Sequence, residues 1–169
     1  MHSSEPDGFS VADHRRIPGG RVELLDGILV VKPELIPLHQ RAVNDLYRKL
    51  RTTCPTHLDP LLGPLDVPVG PATVFRPGIV VRPRGKGRTL PTLVVEVRPD
   101  RGSYYRWHER QMKSHGYRDA GVPSYWVLDP DASSVAVYEL TYHKRGSYSA
   151  GEVCAKGQRN WWRLWPKPS

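Results

Sequence analysis

The chain is poor in cysteine. Cys54 and Cys154 are its two cysteines in 169 residues, too few for a disulfide framework or a cysteine-ligated zinc cluster. The expectation is two free thiols in a reducing compartment, with a single Cys54–Cys154 bridge left open. Long apolar runs are also missing. None approaches the roughly 20 residues that a membrane-spanning helix needs, and the polar opening MHSSEPDGFSVADHRR lacks the apolar core of a signal peptide. A cytoplasmic protein that avoids membranes is therefore expected. No internal repeat is evident. What is present in excess is positive charge: the formal net charge is +8 and the pI near 9.7. Such a balance favours polyanionic partners, nucleic acid above all, although a solvated basic surface accounts for it equally well.

The length suits one domain with one core. The 17 prolines and 15 glycines are spread along the chain, which indicates turns rather than disorder. Ser10 with Asp13 resembles a capping box and predicts a short helix, ended by Pro18-Gly19-Gly20. In RVELLDGILVVK, residues 21–32, Asp26-Gly27 between two apolar runs predicts a β-hairpin. A helix is expected from about His39, with Ala42, Val43, Leu46, Tyr47 and Leu50 on one face, bounded by Pro55. PLDVPV (64–69), TVFRPGIVV (73–81) and TLVVEV (92–97) read as three strands. A second helix is expected from Tyr105 to about Arg118, stopped by Gly121-Val122-Pro123. SYWVLD (124–129) and SSVAVYELTY (133–142) read as two more strands. Hairpin, helix, three strands, helix, two strands make a mixed α/β domain with a central sheet. We divide the chain into a flexible N-terminus (1–8), a domain (9–145) and a tail (146–169). In the tail, Trp161, Trp162 and Trp165 sit among Arg159, Arg163 and Lys167. These rings either close the core or form a platform for stacking bases.

Several residues stand out chemically. Glu96 interrupts an apolar strand, where alternation puts it on one face with Val94 and Arg98. It is either half of an ion pair with Arg98 or a metal ligand. Many metal nucleases place a carboxylate and a lysine two residues apart on a strand, and Arg98 is not equivalent because it cannot give up its proton. Lys113 follows Glu109 by one helical turn, which by itself suggests a surface pair worth a few tenths of a kcal/mol. His39, at the start of the first helix, reads as a capping or solvated residue. Glu23, within VELL, is either edge-exposed or aimed at a site. Arg82, Arg84, Lys86 and Arg88 alternate through the loop RPRGKGR, and either contact phosphates or face solvent.

ELLDGILVVKP and PLHQR (within 23–41), GPLDV (63–67), RPGIVV (76–81), LVVEV (93–97) and KSHGYRDAGVPSYWVLDP (113–130) together resemble the Uma-two family of restriction endonuclease-like proteins. The last segment is the most specific, and the resemblance spans roughly residues 9–145. It implies a restriction-endonuclease-like core of the PD-(D/E)XK nuclease superfamily. Glu96 matches the family's strand carboxylate, and Lys113 matches its helix lysine, with Tyr117 and Gly121-Val122 following at the family's distances. Glu23 and His39 match positions that the family fills with the same residues, and Glu109 stands where the family often has aspartate. Two features depart from the pattern. The family's Pro-Asp aspartate is Gly78 here, and the usual Ser-Pro-Ser after the glutamate strand is Arg-Pro-Asp, in a somewhat longer connection.

The resemblance implies a metal-dependent endonuclease that hydrolyses DNA phosphodiester bonds. Its catalytic residues would be Glu96, Lys113, Glu23 and His39. Mg²⁺ or Mn²⁺ would be held by Glu96 and Glu23, polarising the phosphate and activating water, with Lys113 stabilising developing charge. Gly78 removes a principal ligand and weakens or abolishes this activity; Glu23, Asp66 and Asp100 are the candidate replacements. DNA is the expected partner, and a homodimer is the expectation of the class. Two other readings stand beside it: a catalytically dead relative that still binds nucleic acid, and a protein-interaction module with an exposed aromatic patch.

Overall fold

A computed structural model describes residues 8–85, 87, 89–98, 105–140 and 153–155, with 105–108 and 153–155 described by backbone alone. A short helix α1 (Val11–His14) precedes the hairpin β1 (Val22–Leu25) and β2 (Ile28–Val31). Ser10 and Asp13 form the expected capping box. Asp26 and Gly27 both take positive φ, 47° and 82°, as a two-residue turn matched to strand twist requires. Helix α2 (Pro37–Thr53) follows, starting on a proline whose missing N–H is no loss in the first turn.

Five strands come next: β3 (Leu58–Leu62), β4 (Val67–Gly70), β5 (Thr73–Phe75), β6 (Ile79–Pro83) and β7 (Leu93–Val97). Three of these differ from the sequence reading. The run TVFRPGIVV is two strands in two different sheets, because Pro77 lacks a ladder N–H and the chain crosses from one sheet to the other at Pro77-Gly78. LDPLL, absent from the strands expected from sequence, is β3. It pairs with β6 alone at a sheet edge, where a proline costs no ladder bond.

Helix α3 (Tyr105–Asp119) then carries the chain to β8 (Ser124–Asp129), which runs parallel to β7; a parallel pair needs such a crossover. The helix stops in a Schellman motif. Gly121, at φ 87°, donates to the Arg118 carbonyl and Val122 to the Tyr117 carbonyl, as a left-handed residue after the last turn permits. β9 (Ser134–Glu139) and β10 (Val153–Ala155) complete the order.

The strands form a four-stranded sheet, β2-β1-β5-β4, and a six-stranded sheet, β10-β9-β8-β7-β6-β3. Alternation along the larger sheet builds two cores. Ile79, Val81, Leu93, Val95, Trp126 and Leu128 face Val43, Leu46 and Leu50 of α2. Val80, Val94 and Tyr125 face Val67 and Phe75 of the smaller sheet and Tyr117 of α3. Within the tail, β10 pairs with β9, Cys154 opposite Val135. The tail's tryptophans and cations, Lys86, Arg88, Asp100 and residues 1–7 lie outside the described residues. Among the described residues, no helix is long and apolar enough to cross a membrane.

Candidate functional site

Three elements converge on one buried ammonium group. Glu23 comes from β1, which is central in the smaller sheet and is packed against α1; its side chain is 1% exposed. Glu96 comes from the C-terminal end of β7, on the face shared with Val94. Lys113 comes from α3, which approaches this closely because residue 116 is glycine. A Cβ there would stand 2.6 Å from Phe75 Cε2, closer than packed atoms allow.

Lys113 Nζ lies 2.8 Å from Glu23 Oε1 and 2.8 Å from Glu96 Oε1. It also sits 5.5 Å above the Phe75 ring centroid, within reach of a cation–π attraction. The Tyr117 hydroxyl donates to Glu96 Oε1 at 2.7 Å, and the Arg76 backbone N–H donates to Glu23 Oε1 at 3.0 Å. Lys32, at the end of the hairpin, pairs with Glu109 and lies 3.6 Å from Glu23 Oε2.

The charge states follow from this geometry. Burial alone would push the Glu23 carboxyl up, but the Lys113 and Lys32 ammonium groups hold it below the ordinary glutamate range. Burial would likewise discharge Lys113, yet Glu96 and Glu23 hold it charged well above the ordinary lysine range. Burial and the Glu96 charge raise the Tyr117 hydroxyl, so it stays a donor. The arrangement is a fixed carboxylate–ammonium–carboxylate triad with one phenol attached.

Glu96 and Lys113 border an open cleft of about 890 Å³. Its walls carry six cationic side chains (Arg21, Lys32, Arg76, Arg98, Arg110 and Lys113) against the carboxylates of Glu34, Glu96 and Glu109. Behind the wall Glu23, Asp66 and Asp129 pair with Lys113, Arg76 and Arg98, so six carboxylates answer the six cations, and of these cations Arg110 alone has no ion-pair partner within 4 Å among the described residues.

Several expectations from sequence are corrected here. Arg98 does not neutralise Glu96; it turns past the strand end to Asp129. Lys113 is no surface partner of Glu109, which stands 3.9 Å away; the lysine is 2% exposed and engages the two carboxylates. Position i,i+4 on a helix could not reveal that, since the partners come from strands 90 and 17 residues away in sequence. His39 neither caps α2, whose N-cap is Ile36, nor faces solvent. It is buried, and its Nε2 has no hydrogen-bond partner among the described residues. Gln40 and Val43 line the cleft, and His39 does not. Asp66 pairs with Arg76 at 2.9 Å rather than approaching the triad. Arg82 and Arg84 sit at the far end of β6, outside the cleft, with Arg84 beside the Leu58 carbonyl and Asp59. Sequence reading missed Lys32 and Arg76, which tie the hairpin and the sheet crossing to the triad. Their only signal was a lone basic residue beside a proline.

The divalent centre of metal nucleases is not completed by these residues. Both carboxylates already spend Oε1 on Lys113, Glu23 does not line the cleft, and Gly78 offers no carboxylate. A Cβ at 78 would point to Val97 Cγ2 at 3.2 Å and Val43 Cγ2 at 3.7 Å. Among the described residues no three His, Cys, Asp or Glu side chains are grouped to hold a metal ion.

The family model described as "Uma2: Putative restriction endonuclease" matches residues 11–160. The chain belongs to the Uma2 family. The fold is also similar to the crystal structure of "a putative nuclease belonging to DUF820" from Anabaena variabilis ATCC 29413, with a TM-score of 0.67 at 17% identity over 86% of this chain and 83% of that one. No curated protein matches the chain. The restriction-endonuclease-like, mixed α/β core expected from sequence is thus the fold of this Uma2 chain, and family membership implies nucleic acid as the substrate class.

Proposed function

We propose that this Uma2 protein binds DNA in the cleft and is a relative of the metal-dependent endonucleases in which phosphodiester hydrolysis is weakened or lost at Gly78. The observation that carries the reading is the Glu23–Lys113–Glu96 triad on the border of the cleft, with the unpaired Arg110 on its wall. A carboxylate beside a charged lysine, facing a polyanion site, is the arrangement that in-line phosphoryl chemistry with a hard cation uses. What is absent is the third ligand. Mg²⁺ keeps several waters and is held by one or two protein carboxylates, so the loss of one, where Lys113 already holds Oε1 of Glu23 and of Glu96, accounts for weak or absent turnover. His39 is part of this reading as a buried residue one turn before Val43, supporting the cleft wall.

The test is nicking of supercoiled plasmid with Mg²⁺ and then Mn²⁺. The native chain is expected to nick slowly or not at all. Gly78→Asp combined with Val97→Ala, which clears the 3.2 Å contact, is expected to nick faster, and adding Glu96→Ala is expected to remove that gain. Fast nicking by the native chain that survives Glu96→Ala would place the chemistry elsewhere and overturn the proposal.

A further inference from the structure

Ion pairs leave the cleft wall with little free charge. Arg21 is answered by Glu34, Lys32 by Glu109, Arg76 by Asp66, Arg98 by Asp129, and Lys113 by Glu23 and Glu96. Beyond those pairs and Arg110, much of what the wall offers a ligand is apolar. Pro33, Leu35, Val43, Pro64, Pro77 and Val97 all line it, and Leu35 is 39% exposed. Apolar side chains on a concave wall gain from any ligand surface that removes them from water.

Gly78 opens this apolar surface. A Cβ at 78 would stand 3.2 Å from Val97 Cγ2 and 3.7 Å from Val43 Cγ2. The aspartate that the resemblance places there in related chains would lay its side chain over these methyl groups, whereas glycine leaves them on the cleft surface. Gln40 adds one polar group. Its Nε2 donates to the Leu35 carbonyl at 3.1 Å, which fixes the amide and leaves Oε1 without a donor among the described residues.

An apolar wall beside a fixed acceptor suits a base better than a sugar–phosphate backbone. In a duplex the base faces are stacked on their neighbours and the Watson–Crick edges are paired. An unpaired base presents both, its face to apolar side chains and its edge to hydrogen-bonding groups. The cleft volume of about 890 Å³ is that of a pocket enclosing one ligand, which a nucleotide swung out of its strand can enter and a double helix cannot.

We propose that the cleft seats one unpaired base of single-stranded or locally opened DNA, with its face against Leu35 and the Val43–Val97 floor and its edge on Gln40 Oε1. This rests on the reading of the cleft as a DNA site, and it deepens that reading by naming the state of the strand.

Fluorescence anisotropy of the full chain in EDTA tests it with three labelled probes. These are an oligothymidine strand, that strand paired with oligodeoxyadenosine, and the same duplex with one unpaired thymidine. The strand and the bulged duplex are expected to bind roughly tenfold more tightly than the perfect duplex, the scale of one seated base. Leu35→Asn is expected to erase that difference and Leu35→Met to keep it, and the exposure of position 35 lets both variants fold. Gln40→Ala is expected to reduce the difference by about threefold, as loss of one hydrogen bond does. Tight binding of the strand without the bulged duplex supports the seat and assigns it to single strands.

Equal or tighter binding of the perfect duplex, or a preference for unpaired probes that Leu35→Asn leaves intact, overturns the inference and leaves DNA binding standing. Absence of binding to all three probes overturns the inference together with the proposed function.

Discussion

Replacing Lys113 by methionine preserves much of the side-chain length and removes the charge. Glu23 would then be buried at 1% exposure without its main counter-ion, and removal of one partner from a buried pair costs about 3–5 kcal/mol. Lys113→Met is expected to lose stability on that scale in urea unfolding, and Glu23→Gln with Lys113→Met to recover a large part of it, because the second change removes the stranded charge. Equal losses for the single and double variants would show that the pair is not the source.

The same residue sets a pH dependence. The folded-state pKa of Glu23 is lowered by Lys113 and Lys32 against the upward push of burial. Its stabilisation is therefore present above the unfolded value, about 4.3, and is lost as pH falls from there through the folded value. The urea midpoint of the native chain is expected to drop across that acid window. Glu23→Gln should flatten the drop without abolishing it, since Asp129, held low against burial by the Ala132 N–H and Arg98, still titrates.

At the scale of elements, the docking of α3 is the step that makes the site. Gly116 lets the helix lie on Phe75 of β5, and Phe75 is itself 1% exposed, with little room to retreat. Gly116→Ala is expected to destabilise by about 1–3 kcal/mol, as overpacking in a filled core does, even though alanine is the better helix former. Gln111→Ala, on the exposed side of α3, should change little. Comparing the two by thermal unfolding separates a packing effect from helix propensity; a stabilised Gly116→Ala would contradict the close approach. The elements themselves were largely legible. The Asp26-Gly27 turn, the apolar face of α2 and the Gly121 stop each rest on local chemistry that a short window contains. The split of residues 73–83 was not legible, because a Pro-Gly in an apolar run marks a break without saying that the halves join different sheets.

For the whole molecule, the +8 charge predicts DNA binding that falls steeply with salt. Three phosphate contacts would give a loss of roughly 40-fold between about 50 and 200 mM salt, through counterion release. A flat salt titration would point to contacts other than phosphates. Only part of the molecule's charge contributes to the cleft. Arg82 and Arg84, which the loop pattern singled out, lie at the opposite end of β6, so a strand only five residues long separates two basic regions that look continuous in sequence.

The sequence by itself determined the order of most elements and the family, because capping, turn geometry, alternation and motif spacing are properties of neighbouring residues. The resemblance also points to Gly78 as the position of a carboxylate in related chains, and the proposed function rests on that reading. The tertiary structure alone decided that Lys113 is the buried bridge between Glu23 and Glu96, that Arg98 turns away to Asp129, and that His39 is enclosed. Each of those outcomes depends on which strands lie side by side and on how closely α3 packs on β5. Electrostatic energy depends on distance and burial in space, and neither is encoded in the spacing of the residues along the chain.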